Sequence, residues 1–174
     1  MELQIQNKWI SIHGHSYVKD MEGKEVMKVR GKFWTFTKKK YIEDLEGNVH
    51  YVVRNKFWKL IAYSAFIMDK DENKLCKVRR KVFSLHDHYD IPTDKGKITI
   101  RGNILGFDYK ILLNDKEIGH VARKISLRDS FVLTLDDDQD AMFFVALVIA
   151  IDNITDERNE SAAAAGHSYS SGSN

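Results

Sequence analysis

The chain repeats itself, and the repeat restricts its fold more than any other feature. Lys8-Trp9, Lys32-Phe33 and Lys56-Phe57 recur every 24 residues, and Lys81-Val82 follows 25 further on. Asp20-Met21-Glu22-Gly23 returns as Asp44-Leu45-Glu46-Gly47, and Val29-Arg30-Gly31-Lys32-Phe33-Trp34 returns as Val53-Arg54-Asn55-Lys56-Phe57-Trp58. A weaker third copy supplies Asp69-Lys70-Asp71 for the turn and Val78-Arg79-Arg80-Lys81 for the strand end. Tyr17, Tyr41 and Phe66 hold equivalent places before each turn. A unit this short cannot bury its own apolar face, so the copies must associate.

Each unit reads as a β-hairpin. Strands rich in β-branched and aromatic residues flank an Asp-x-Glu-Gly turn, where Asp bonds the following backbone and Gly supplies a positive φ. Alternation puts Met27, Val29 and Phe33 on one face, with Tyr51, Val53, Phe57 and Cys76, Val78, Val82 matching them. Lys28, Arg30, Lys32, Arg54, Lys56 and Lys81 then point outward, and a one-residue slip would bury that basic set. Further on, Lys97–Arg101, Phe107–Leu113, Ile118–Lys124 and Ser130–Leu135 also read as strands. About a dozen short strands are too many for one flat, half-exposed sheet, and closure into a barrel removes the exposed edges.

Asp136–Ile154 departs from this pattern. Four aspartates precede Ala141–Ile151, a run apolar on every face, and carboxylates there can cap a helix. A helix apolar all round must be surrounded, which predicts a helix threaded through the barrel. At about 1.5 Å per residue the run reaches only half of a ~30 Å hydrocarbon core, so no stable transmembrane span is expected. The expected division is a domain over 1–155 and a disordered polar tail over 156–174.

Composition narrows the function. Of 174 residues 43% are apolar, enough for one globular domain, and the net charge of +2 is too small for a protein that grips nucleic acid. Residues 1–90 hold 18 Lys/Arg against 12 Asp/Glu, or +6, whereas residues 91–174 hold 9 against 13, or −4. A basic first half suits an anionic surface, although a solvated face is the commoner meaning of such an excess. The single cysteine, Cys76, excludes an intrachain disulfide and a Cys-based zinc cluster, points to a reducing compartment, and is expected to be a small buried hydrophobe. Met1–Gln6 has no secretory pattern, and Glu2 stands where myristoylation needs glycine. Cytoplasmic residence, with peripheral attachment at the membrane, is the expected localisation.

The elements Lys-x-x-Ser and Tyr-x-Lys/Glu-Asp-x-Glu-Gly-x-x-x-x-x-Val-Arg, repeated from the N-terminus, resemble the LURP-one-related family, in pattern nearest its bacterial branch. Leu133–Met142 followed by an apolar helix is similar both to that family and to the phospholipid scramblases. The resemblance spans residues 1–155. It implies a mainly β fold of the tubby C-terminal-like type: a closed, twelve-stranded antiparallel barrel around a central hydrophobic C-terminal helix. For function it implies a non-enzymatic domain that binds an anionic phospholipid, a phosphoinositide or a protein partner. The alternative it raises is a scramblase-like, calcium-modulated protein that inserts into membrane.

Candidate binding residues rest on charge: Lys32, Lys38, Lys39, Lys40, Arg54, Lys56, Arg79 and Lys81. No nucleophile elbow, phosphate-binding glycine loop, His-Glu-x-x-His or Cys-x-x-Cys occurs, so neither catalysis nor a cofactor is expected. Two His-x-His pairs, His13/His15 and His86/His88, offer imidazoles two apart on an extended chain, as a metal-dependent enzyme would need. Asp136, Asp138 and Asp140 alternate at a spacing that suits Ca²⁺, though without the central Gly and bidentate Glu of a calcium loop. Polar loops and helix capping are the ordinary roles of these two sets. Trp9, Trp34 and Trp58 are expected to serve packing.

Overall fold

A computed structural model gives the fold. It describes residues 1–6, 15–31, 39–55, 64–79, 88–104, 106, 108–123 and 130–168, with the backbone alone at 130 and 156–168. The strands of the first half are β1 (Glu2–Gln6), β2 (His15–Lys19), β3 (Glu25–Gly31), β4 (Lys40–Glu43), β5 (Val49–Asn55), β6 (Ser64–Asp69) and β7 (Lys74–Arg79). Those of the second are β8 (His88–Thr93), β9 (Gly96–Asn103), β10 (Asp108–Leu113), β11 (Lys116–Arg123) and β12 (Ser130–Leu135), followed by helix α1 (Ala141–Ser168).

The repeated turn motif is what makes the hairpins. Asp20, Asp44 and Asp69 each accept the backbone N–H four residues on through Oδ1, at 2.9, 2.7 and 2.8 Å. The residue three after each aspartate has a positive φ: Gly23 at 86°, Gly47 at 91° and Glu72 at 62°. The third copy therefore keeps the turn without the glycine. Near Asp20, Asp44 and Asp69 the ladders shift register by one residue, which lets each hairpin twist.

All twelve strands form one antiparallel sheet in the order β7-β6-β5-β4-β3-β2-β1-β12-β11-β10-β9-β8. β1 pairs with β12, so the two ends of the strand sequence meet in the middle of the sheet. Curling brings β7 beside β8, with Cα atoms within 8 Å but no ladder between them. The barrel is thus nearly closed, with one seam that carries no backbone ladder among the described residues. Pro92, the chain's one proline, lies in β8, an edge strand, where a missing N–H is tolerated.

Helix α1 fills the interior and packs against β4, β5, β6 and β7. Phe144 to Ile151 are all buried, six of them completely, so every face of this stretch meets protein. The surrounding wall is the inward parity of the strands: Ile5, Val18, Val29, Ile42, Val53, Ile67, Val78, Ile91, Ile100, Ile111 and Leu133 are wholly or almost wholly buried. The helix extends well past the apolar run, and helical backbone continues to Ser168 through much of the stretch expected as a polar tail. No helix among the described residues is long and apolar enough to cross a membrane.

Two details depart from simple alternation. Lys40, expected outward from its charge, shares the inward parity of Ile42, lies opposite Val53 and is only 8% exposed. Val52 and Met68, paired on the outward parity, are each 1% exposed, so the outer face is not uniformly solvated.

Candidate functional site

The outer face of β5, β6 and β7 carries the candidate site. Register places Arg54, Phe66 and Lys77 in one row across the three strands, and Arg79 lies opposite Ser64 in an adjacent position. Lys74 Nζ stands 4.9 Å from the centre of the Phe66 ring and Lys77 Nζ 5.9 Å. The ring's negative face attracts both ammonium groups and holds them near one another despite their like charge. Among the described residues, Arg54, Lys74, Lys77 and Arg79 have no carboxylate partner within ion-pair distance. Two cations at one half-buried aromatic ring, with two more on the same outer face, make a surface that can meet several anionic oxygens at once.

The neighbouring basic residues are already engaged. Arg30 contacts buried Glu43 through Nη2 at 2.6 Å and Nε at 2.7 Å, and Lys28 Nζ lies 3.9 Å from the same carboxylate. The Arg30 guanidinium also covers the Tyr41 ring at 4.4 Å. Lys39 pairs with Glu72 at 2.6 Å. Lys28, Arg30 and Lys39 thus face carboxylates, whereas among the described residues Arg54, Lys74, Lys77 and Arg79 on β5–β7 do not.

Of the residues expected from sequence, Arg54 and Arg79 fall within this face, Lys39 is committed to Glu72, and Lys40 is inside the barrel. Lys32, Lys38, Lys56 and Lys81 lie outside the described residues, as do Trp9, Trp34 and Trp58. Lys74, Lys77 and Phe66 are the additions. The same alternation that turns Cys76 and Val78 inward turns Lys77 outward, so its place was present in the sequence pattern. The stacking of Lys74 on Phe66 depends on the register shift between Ile67 and Met68, which no sequence pattern reveals.

The metal candidates among the described residues do not converge. His15 lies in β2, its ring edge-on to Tyr17 at 5.4 Å, whereas His88 lies in β8, its Nε2 2.9 Å from Asp90 Oδ1. β2 and β8 are six places apart in a ring of twelve strands, on opposite sides of the barrel. His13 and His86 fall outside the described residues. Asp140 caps α1, accepting the Phe143 N–H at 3.1 Å, and its other oxygen accepts the Tyr51 hydroxyl at 2.5 Å. Burial and then this carboxylate push the Tyr51 hydroxyl well above the usual phenol range. Asp138 Oδ1 accepts the Gln139 amide at 2.8 Å, and Asp136 is exposed just after β12. Asp137, not among the candidates, holds the Met1 ammonium at 2.7 Å and is lowered by it. Among the described residues, no three His, Cys, Asp or Glu side chains stand close enough to share an ion. Cys76 is 7% exposed, and burial pushes its thiol up to about 11.

A twelve-stranded antiparallel barrel around an apolar helix defines a tubby-like class of fold. A sequence model of the family described as LURP-one-related matches residues 1–152, and the chain belongs to that family. The fold is similar to an X-ray structure of a protein from Arabidopsis thaliana, with a TM-score of 0.61 and 17% identity, covering 88% of this chain and 91% of that one. No curated protein matches the chain in sequence.

Proposed function

We propose that this protein is a non-enzymatic binding module that docks on anionic phospholipid headgroups through the β5–β7 face. The observation that carries this reading is the set of four cations on one outer face, Lys74 and Lys77 at the Phe66 ring with Arg54 and Arg79 at neighbouring register positions, without described counter-ions. A basic residue near an anionic leaflet contributes about 1 kcal/mol, so four together give weak, reversible attachment rather than anchoring. The cytoplasmic leaflet is the surface that offers such a field, and the absence of a described spanning helix fits peripheral contact.

Vesicle flotation tests the proposal. Anionic vesicles should carry the protein upward at low salt, neutral vesicles should not, and high salt should release it. Replacing Arg54, Lys74, Lys77 and Arg79 together by Gln should abolish flotation while leaving the melting temperature nearly unchanged. Equal partition onto neutral and anionic vesicles, or full binding by the fourfold variant, would overturn it.

A further inference from the structure

The mouth of the barrel where α1 enters holds a second site of the opposite charge. Tyr51 of β5, the start of β7, the β8–β9 hairpin, Leu113 of β10 and the first turn of α1 with the residues just before it enclose a cavity of about 410 Å³. That volume falls in the range of small-molecule sites. One wall is apolar, built from Leu75, Ile98, Leu113, Phe143 and Phe144. Aromatic rings form part of the lining: Tyr51 and Phe143 meet edge to face at 5.7 Å, and Phe143 and Phe144 at 5.4 Å. The rim carries three carboxylates, Asp94, Asp138 and Asp140, against one cation, Lys95, for a net −2.

Each ligand class can be weighed on this geometry. An anion would meet the net negative rim. The helix N-terminus, which would otherwise favour an anion, is already capped by Asp140. A bare metal ion finds no group of three described ligating side chains and faces an apolar wall. A neutral apolar molecule would gain the wall and nothing from the rim. An organic cation uses both, because aromatic faces and carboxylates each favour an ammonium group beside apolar carbon. Asp94 is the carboxylate most available to it, since it is exposed and has no hydrogen-bond or ion-pair partner among the described residues. Its field reaches into the cavity, where it adds to burial in raising both the Cys76 thiol and the Tyr51 hydroxyl.

We propose that this cavity binds an alkylammonium ion, its charged nitrogen at Asp94 and Asp138 and its carbon body against Ile98, Leu113 and Phe143. The site is independent of the lipid-binding face and stands or falls separately.

Cys76 lines the cavity and is the chain's one cysteine, so its slow alkylation by excess iodoacetamide at mildly alkaline pH, where an alkylamine is still protonated, reports occupancy. Hexylammonium should slow that reaction saturably and show matching calorimetric binding, about tenfold tighter than hexanol, the difference expected from roughly 1.4 kcal/mol of charge pairing. Hexanoate should not bind. Asp94→Asn with Asp138→Asn, both at exposed positions, should weaken hexylammonium about tenfold and leave hexanol unchanged. Soluble glycerophosphocholine, a choline headgroup without acyl chains, forms the second arm. Protection by hexylammonium alone assigns a soluble amine, and protection by both extends the site to a lipid headgroup. Equal affinity for hexanol, unchanged affinity in the double variant, or no saturable protection by hexylammonium would overturn the proposal.

Discussion

Asp44 shows how one side chain sets a hairpin. Its Oδ1 accepts the Asn48 N–H and its Oδ2 the Asn48 side-chain amide, at 2.7 and 2.8 Å, and Asp69 repeats both contacts with Asn73. The Asn48 side chain is the largest influence in lowering Asp44 from 3.8 to about 2, and Asn73 lowers Asp69 likewise. A folded-state value below the unfolded one means that the ionised carboxylate stabilises the fold above the unfolded value. That contribution is lost as pH falls from 3.8 towards about 2 for Asp44. Asp44→Ala with Asp69→Ala should therefore melt at a lower temperature near neutrality and lose less of its remaining stability on acidification than the parent. Melting curves across this acid range check it, and parallel acid losses in the two proteins would contradict it. Glycine acts here in two distinct ways. Gly47 has open space around it and is favoured by its positive φ, which Glu72 adopts at the equivalent position without a glycine, whereas a Cβ at Gly119 would collide with the Thr134 carbonyl of the adjacent strand.

Most elements were legible from sequence because each carries its own signal. The hairpins announce themselves through the Asp-x-Glu-Gly turns and two-residue alternation, and the helix through an apolar run preceded by carboxylates. Ser130–Leu135 coincides with β12, and β9, β10 and β11 differ from expectation by no more than two residues at either end, whereas β8 begins at His88 in a segment expected as a polar loop and was not anticipated. The binding face was only partly legible: charge identified Arg54 and Arg79, but equally Lys40, which alternation sends inside, and Lys39, which Glu72 neutralises. Pairing between charges distant in sequence is set by register, and composition holds no record of it. The mouth cavity was not legible, since it joins β5, β7, β8, β9, β10 and α1. The helix itself allows a sharp prediction. Phe144 is 4% exposed and its neighbours to Ala150 are wholly buried, so Phe144→Asp would place an unpaired charge in the core at a cost of several kcal/mol. Loss of soluble folded protein is the expected outcome, and Phe144→Leu, which keeps the site apolar, should remain folded. A cooperative, parent-like melt for Phe144→Asp would place the helix elsewhere.

The molecule as a whole is a single sheet whose centre and edges are fixed by topology. β1 and β12 sit in the middle, each with a ladder on both sides, although β1 joins β2 through the single pair Gln4–Lys19. β7 and β8 are the edges, each laddered on one side only, and they face one another across the seam. Contacts across the seam exclude much solvent but provide no backbone hydrogen bonds. Local opening should therefore begin there, because separating β7 from β8 breaks no ladder, whereas separating β1 from β12 breaks five residue pairs and divides the barrel. Native-state amide exchange should show this gradient. Amides in β12 and in the β1–β12 ladder should exchange only with global unfolding, and alternate amides of β7 and β8, those directed away from β6 and β9, should exchange orders of magnitude faster. The cavity at the barrel mouth borders this seam through Leu75 and Cys76 of β7 and Thr93 of β8, so a bound alkylammonium should slow exchange at the seam and leave β12 unaffected. Uniform protection around the barrel would mean that the seam is closed as firmly as the ladders, and that the cavity has no privileged point of entry.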